Sequence, residues 1–295
     1  MDQDCPSWSA LPLVLRDPIP MTSHGQYTAP LIDLHQNSAR AMPTPAHRLG
    51  RLITAPATVI SIRALRAHCS KCSIRELCLP VGLEPEALRQ LDAVVTDRIG
   101  LKKGDTLYRS GEPFTALYAI RLGSCKTTVL AEDARAQVSG HHMLGDLLGL
   151  DGIAHERHAC DAVALEDSEV CVLPFRKLEG LAHSVPALQR NLHRFLSREL
   201  IRDQALLLLL GTMPAEERLA AFLVNLAERY RERGYSSSAF MLRMSRDEIG
   251  SYLGLKLETV SRLFSRLRER GLLEVRGRSV RLLDLPALKQ LAKRN

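Results

Sequence analysis

The densest chemistry in the 295-residue sequence is a run of thiols, Cys69-Ser-Lys-Cys72-Ser-Ile-Arg-Glu-Leu-Cys78, with C-x2-C-x5-C spacing. Three thiolates within ten residues can converge on one inorganic centre. An iron–sulfur cluster held by four Cys suits them, as does a tetrahedral zinc. Either needs a fourth ligand, and Cys125, Cys160 and Cys171 are the candidates. A zinc site usually pairs C-x2-C with a second knuckle, which the later sequence lacks. A metal-free thiol–disulfide switch is a further reading. Cys5 stands apart and reads as an incidental thiol.

A second constellation lies near the C-terminus. Ser245-Arg-Asp-Glu248 has the spacing of a capping box, in which a hydroxyl and a carboxylate satisfy free backbone N–H groups of a first helical turn. The helix it opens, Asp247 to Leu253, ends at Gly254, and a second begins near Lys256. Two helices joined by so tight a turn form a helix-turn-helix. In the second helix Val260, Leu263 and Leu267 share one face for packing, while Glu258, Ser261, Arg262 and Ser265 share the other. That polar face suits the major groove: Arg262 can bond guanine O6/N7 and Glu258 can accept from cytosine N4. Lys256, Arg266, Arg268, Arg270, Arg276, Arg278 and Arg281 suit phosphate contacts, and Leu272 to Leu283, centred on Gly277, reads as a β-wing.

Charge distribution points the same way. From Pro214 to Asn295 there are 17 Lys+Arg and 10 Asp+Glu, an excess equal to the whole chain's +7. The first 213 residues balance, so a neutral body carries a basic end suited to a polyanion. The longest apolar run, Ala205 to Leu210, is far short of the roughly 20 residues of a membrane span. The start, Met1-Asp2-Gln3-Asp4, lacks the basic region of a secretory signal, which with an odd count of seven Cys predicts a reduced cytoplasmic setting. No nucleophile–base pairing or phosphate loop emerges, so an enzyme is not expected.

The elements that must position these residues follow in order. Residues 1–60 hold 8 of the 15 prolines and read as an extension, with Trp8 and Leu11 to Leu15 as its apolar content. Residues 61–185 carry the cysteine segment, a short helix from Pro85, and short β-rich pieces punctuated by glycines, which predict an antiparallel sandwich or barrel. A long helix spans 186–212, and 213–295 hold an amphipathic helix 215–233 and the winged helix-turn-helix. The fold class is therefore α+β. In the long helix Leu196, Leu200, Asp203, Leu207 and Leu210 step as a coiled-coil seam, with Phe195, Leu206 and Leu208 expected on the chain's own sandwich. Asp203 would face its own copy, and like charges there would keep association marginal.

Together these residues resemble the fumarate and nitrate reduction regulators, the oxygen-sensing branch of the cyclic-AMP receptor protein superfamily. His68 to Pro80 is similar to that family's cluster segment, and Asp167-Ser-Glu-Val-Cys171-Val-Leu-Pro-Phe175 to the segment of its fourth cysteine. Glu216-Glu-Arg-Leu-Ala-Ala-Phe222 and Glu258-Thr-Val-Ser-Arg262 resemble its helix and recognition signatures, and Asp203 falls at its interface aspartate. The resemblance covers about residues 64–293. It implies a β-roll sensor domain, and a [4Fe-4S] cluster on Cys69, Cys72, Cys78 and Cys171. It also implies a homodimer on double-stranded DNA at palindromic TTGAT-like sites, cluster loss to oxygen that weakens dimer and DNA binding, and contact with RNA polymerase. A thiol- or zinc-based redox regulator on the same scaffold is the alternative; an electron-transfer protein would need no DNA reader. Cyclic-nucleotide binders of the superfamily carry Gly-Glu-Leu and Arg-Ser-Ala or Arg-Thr-Ala, where this chain has Gly145-Asp-Leu147 and Arg157-His158-Ala159. The shorter acid and the imidazole argue against a nucleotide, while Arg157 leaves an anion contact open. His155 and His158 read as surface loop residues rather than haem ligands.

Overall fold

The β-rich middle of the chain forms two facing antiparallel sheets. The computed structural model describes residues 68–130 and 136–293, so the extension, with Cys5, Trp8 and Leu11 to Leu15, lies outside the described residues. One sheet has the strand order β1 (Arg98–Leu101), β8 (Ser168–Pro174), β3 (Ala116–Leu122), β6 (Leu147–Leu148). The other runs β2 (Thr106–Tyr108), β7 (Asp161–Ala164), β4 (Ser124–Leu130), β5 (Ala136–Met143). Leu101, Ile120, Cys125, Cys160, Ala162 and Val170 fill the space between the sheets. The chain crosses from β3 to β4 at Gly123, whose φ of +85° suits glycine and whose missing Cβ would strike Ser168. This is the expected β-roll.

A second core forms where helices cover the outer face of the first sheet. Helix α1 (Pro85–Val94) starts on a proline, which suits a first helical turn, and buries Leu88, Leu91 and Val94. Helices α2 (Phe175–Ser184) and α3 (Pro186–Thr212) add Leu178, Leu188 and Phe195 to that layer. The start of α3 also grips the cysteine segment: buried Asn191 donates to the carbonyls of Leu79 and Val81 at 2.9 and 2.8 Å.

Beyond Phe195 the seam of α3 is open. Leu196, Leu200, Asp203 and Leu207 are exposed and Leu210 is half-buried. Leu208 corrects the sequence expectation. It is 60% exposed rather than packed on the sandwich. At 3.6 residues per turn, Leu206 stands about 20° from Phe195 around the helix and Leu208 about 140° from it, so Leu208 cannot share their flank.

Helices α4 (Ala215–Glu232), α5 (Arg246–Leu253), α6 (Leu257–Glu269) and α7 (Leu285–Ala292) surround a third core with the sheet β10 (Leu273–Arg276), β11 (Ser279–Leu282), β9 (Ala239–Met241). Val138 and Met143 of β5 join this core, so the C-terminal unit packs on the β-roll. The polar centre of that junction is Asp146, 5% exposed by side chain. It accepts from Arg202 of α3 at 3.0 Å and from Arg229 and Arg233 of α4 at 2.7 and 2.9 Å. Burial alone would raise its pKa, but the three guanidinium groups outweigh that and hold the carboxyl well below the usual carboxylate range.

A depressed folded-state pKa contributes stability above the unfolded value, about pH 4, that is lost as pH falls towards the folded one. Asp146→Asn should therefore cost on the order of 3–5 kcal/mol at pH 7, because it strands buried guanidinium groups. The difference from wild type, taken from urea unfolding, should narrow below about pH 4. A gap independent of pH would show that charge is not what Asp146 supplies.

Candidate functional site

Two single-turn 3-10 helices, Cys69–Lys71 and Arg75–Leu77, fold the cysteine segment against α1 and β8. Cys69, Cys72, Cys78 and Cys171 line one small cavity, together with Leu91 and Arg121. Strand parity places Cys171 with the other three. Along β8 successive side chains alternate between faces, so Val170 enters the core between the sheets while Cys171 turns outward beneath the cysteine segment. Cys125 and Cys160 are buried between the sheets instead.

Burial pushes the Cys78 thiol up to about 12, with the Leu79 N–H opposing and Cys171 and Cys72 adding to the rise. Burial likewise raises Cys69, reinforced by Cys78 and Cys171. At Cys171 burial also raises the pKa, but Arg98 opposes it. Thiolates gathered this closely repel one another, and a cationic centre among them relieves that repulsion. The donor set is all soft sulfur, which suits iron–sulfur or zinc chemistry. The cavity holds about 20 Å³, and among the described residues no group of three or more His, Cys, Asp or Glu is arranged to hold a metal ion.

Asp92 of α1 is a site residue that spacing did not reveal. Its carboxylate accepts from the Cys69 and Ser70 N–H groups and the Ser70 hydroxyl, and it faces His68 Nδ1 at 3.8 Å. One acid thus fixes the turn that aims Cys69. Nothing in its local sequence marks it, since it reads as an ordinary helix-surface acid. Arg121 and Arg98 share Glu169 at 2.9 and 3.5 Å, keeping cationic groups beside Cys171.

The DNA-reading elements form as the residues dictate. Ser245 Oγ accepts from the Glu248 N–H at 3.1 Å and Glu248 accepts from the Ser245 N–H at 2.6 Å, closing the capping box. Gly254 takes the left-handed conformation that ends α5 (φ +64°). Val260, Leu263, Phe264 and Leu267 are buried; Glu258, Ser261, Arg262 and Arg266 are exposed and Ser265 is half-buried. Lys256 is the N-cap of α6 and is exposed. The wing is β10 and β11, paired Leu273 to Leu282.

Part of the basic set is held internally. Arg270 and Arg266 lie 2.8 and 3.9 Å from Glu216, Arg281 lies 3.9 Å from Glu274, and Arg278 donates to the Arg243 carbonyl at 3.0 Å. Arg218 of α4 donates to Leu210 and Met213 at the end of α3, and to Leu253 at the end of α5. It satisfies the carbonyls that helix ends leave free.

The nucleotide-like segment departs from the sequence reading at His158. Arg157 is exposed and donates to the Gly111 carbonyl. His158 is buried rather than on the surface, and its ring stacks on Tyr108 with centroids 3.6 Å apart. The bridge between Pro113 and Arg157 draws this loop inward and buries the alternate residue. His155 is exposed, as expected.

Asp92→Ala should loosen the Cys69 turn in the iron-free chain. Losing charge-assisted bonds worth about 1–2 kcal/mol would raise Cys69 alkylation about tenfold over Cys125, followed by mass spectrometry. Equal labelling of wild type and variant would remove Asp92 from the site.

Comparisons with known proteins bear on both ends of the chain. The cyclic nucleotide-binding domain model matches residues 98–184, and the Crp-like helix-turn-helix domain model matches 217–291. The transcriptional regulatory protein btr of Bordetella pertussis is 48% identical over 225 residues, which is 76% of this chain and 93% of that protein. The fumarate and nitrate reduction regulatory protein of Escherichia coli is 43% identical over 225 residues, 76% of this chain and 90% of that protein. Among solved structures, FixK2 of Bradyrhizobium japonicum superposes with a TM-score of 0.61 at 32% identity, covering 66% of this chain and 96% of that one. The β-roll, the helix-turn-helix and these relatives place the chain in the fumarate and nitrate reduction regulator family of the cyclic-AMP receptor protein superfamily, as a DNA-binding transcriptional regulator and not an enzyme.

Proposed function

We propose that this regulator answers to oxygen through a [4Fe-4S] cluster held by Cys69, Cys72, Cys78 and Cys171. One observation carries the reading: the four cysteines line a single cavity, and the segment holding three of them is tied by Asn191 to the helix that bears the exposed ladder. When bound, the cluster supplies an oxygen-labile inorganic centre whose binding energy is coupled to local folding. The residues of the chain do the rest. Asp92 fixes the Cys69 turn, Arg121 and Arg98 balance thiolate charge, and Asn191 passes the order of the segment to α3.

In this reading α3 pairs with a second copy through Leu196, Leu200, Asp203, Leu207 and Leu210. Burial and Glu199 raise the pKa of Asp203, the direction expected of a carboxyl already short of favourable charge. Two such residues in one seam oppose pairing, so the dimer stays responsive. Shifting it from about 1:99 to 99:1 takes on the order of 5.5 kcal/mol, within reach of a metal centre. The dimer then sets two α6 helices into successive major grooves of a palindromic TTGAT-like site, with Glu258, Ser261, Arg262 and Ser265 towards base edges and Lys256 and Arg266 towards phosphates. Contact with RNA polymerase and a cytoplasmic setting belong to the same proposal.

Anaerobic purification should yield a coloured protein with about four iron and four sulfide per chain, bleached by air. Cys171→Ser should abolish the colour while Cys125→Ser keeps it. A colourless, iron-free anaerobic protein that binds its operator normally would sink the cluster reading, and stoichiometric zinc in it would favour the zinc regulator.

Arg262→Ala should relax readout at one base pair by roughly 1–3 kcal/mol. Binding to a panel of operator variants checks this. A uniform loss across all sequences would make Arg262 a phosphate contact.

A further inference from the structure

Helix α5, the first of the helix-turn-helix, lies on the edge of the β-roll. In its sheet β5 is the edge strand, paired on one side to β4. An edge strand leaves a row of N–H and C=O groups facing away from its neighbour. Ser251 of α5 fills part of that row. Its hydroxyl accepts from the Val138 N–H at 2.9 Å and donates to the Ala136 carbonyl at 3.5 Å, taking the place of a neighbouring strand. The Gln137 side-chain amide donates to the Ser251 carbonyl at 2.5 Å. Lys126 of β4 reaches the Glu248 carboxylate of α5 at 2.8 Å, and Val138 and Met143 share one core with Ile249 and Leu253.

This contact ties the reading helix to the ladder helix by a rigid route. Helix α6 packs in the same core as α5 through Val260, Leu263 and Leu267. The β-roll in turn packs on α3 through Leu188 and Phe195. The Asp146 cluster already anchors the end of α4 to the β-roll. One anchor leaves the C-terminal unit free to turn about it. The seat of α5 on β5 is a second anchor on a different helix, and it removes that freedom. Adding one base pair between two half-sites displaces one from the other by about 3.4 Å and turns it by about 35°. A hydrogen bond of about 2.9 Å is lost by about 3.6 Å, so reading helices held this way cannot follow the step.

We propose that Ser251 and Gln137 set the spacing between half-sites that a pair of these chains accepts. Both are positioning residues, acting on DNA through α5 and hence α6. The inference rests on the proposed pairing of two copies through α3 on a palindromic site.

The test is binding of the full-length protein, purified without oxygen, to duplexes whose two TTGAT-like half-sites are separated by successive single base-pair steps. Wild type should lose about thirtyfold in affinity one base pair away from its best spacing, and the Ser251→Ala, Gln137→Ala double variant about threefold. Ser251→Thr, which keeps the hydroxyl, should discriminate as wild type does. Alanine favours helix at residue 251, so the fold is kept. A double variant that discriminates spacing as sharply as wild type, including one weakened equally at every spacing, overturns this inference alone. A wild type that binds as one chain per duplex, or binds all spacings alike, overturns the pairing and this inference with it.

Discussion

The arrangement of the chain hangs on one buried carboxylate. Asp146 sits in the turn after β5, almost out of solvent, where an isolated charge would be strongly disfavoured. Three guanidinium groups from two helices make it tolerable, and it makes their close approach tolerable in return. A charge cluster of this kind fixes geometry more than it adds net stability, since removing one member leaves the others unpaired. Its members come from the β-roll, from α3 and from α4. No two of these elements can shift without breaking a desolvated contact with the third.

Helix α3 is where the separate demands meet. Its first turns are packed with the cysteine layer through Leu188, Asn191 and Phe195. Arg202 at its middle joins the Asp146 cluster, and its last carbonyls are taken by Arg218 of α4. The exposed ladder runs along the face left over from these contacts. A change in order at the cysteine segment is thus mechanically adjacent to the surface on which a second copy would act. Lys126 of β4 pairs with Glu248 of the capping box at 2.8 Å, a further tie between the β-roll and the reading helices.

Much of this was legible in residue order because local physics acts locally. The capping box and Gly254 set the bounds of α5 to within a residue, and Pro85 and Pro186 open α1 and α3 as proline does at first turns. An antiparallel β unit and the wing followed from short β-rich pieces and turn glycines, while the β-roll itself came from the family resemblance. Leu208 was misplaced because a list of apolar residues on a helix does not say which stripe meets a surface. His158 is buried against expectation because a loop's inward and outward residues depend on what it crosses.

The sequence alone determined the types and spacing of the chemical groups: three clustered thiols, a polar face at helical period, a localised basic excess and a charged residue in an apolar ladder. These are properties of neighbours along the chain, where periods of 2 and 3.6 residues govern. Only the tertiary structure decided which distant groups share a space. Strand parity and sheet order brought Cys171 rather than Cys125 or Cys160 beneath the cysteine segment. Packing between elements far apart in sequence aimed Asp92 at Cys69, Asn191 at Leu79 and three arginines at Asp146. Such pairings reflect which surfaces exclude water together, and no local pattern encodes that choice.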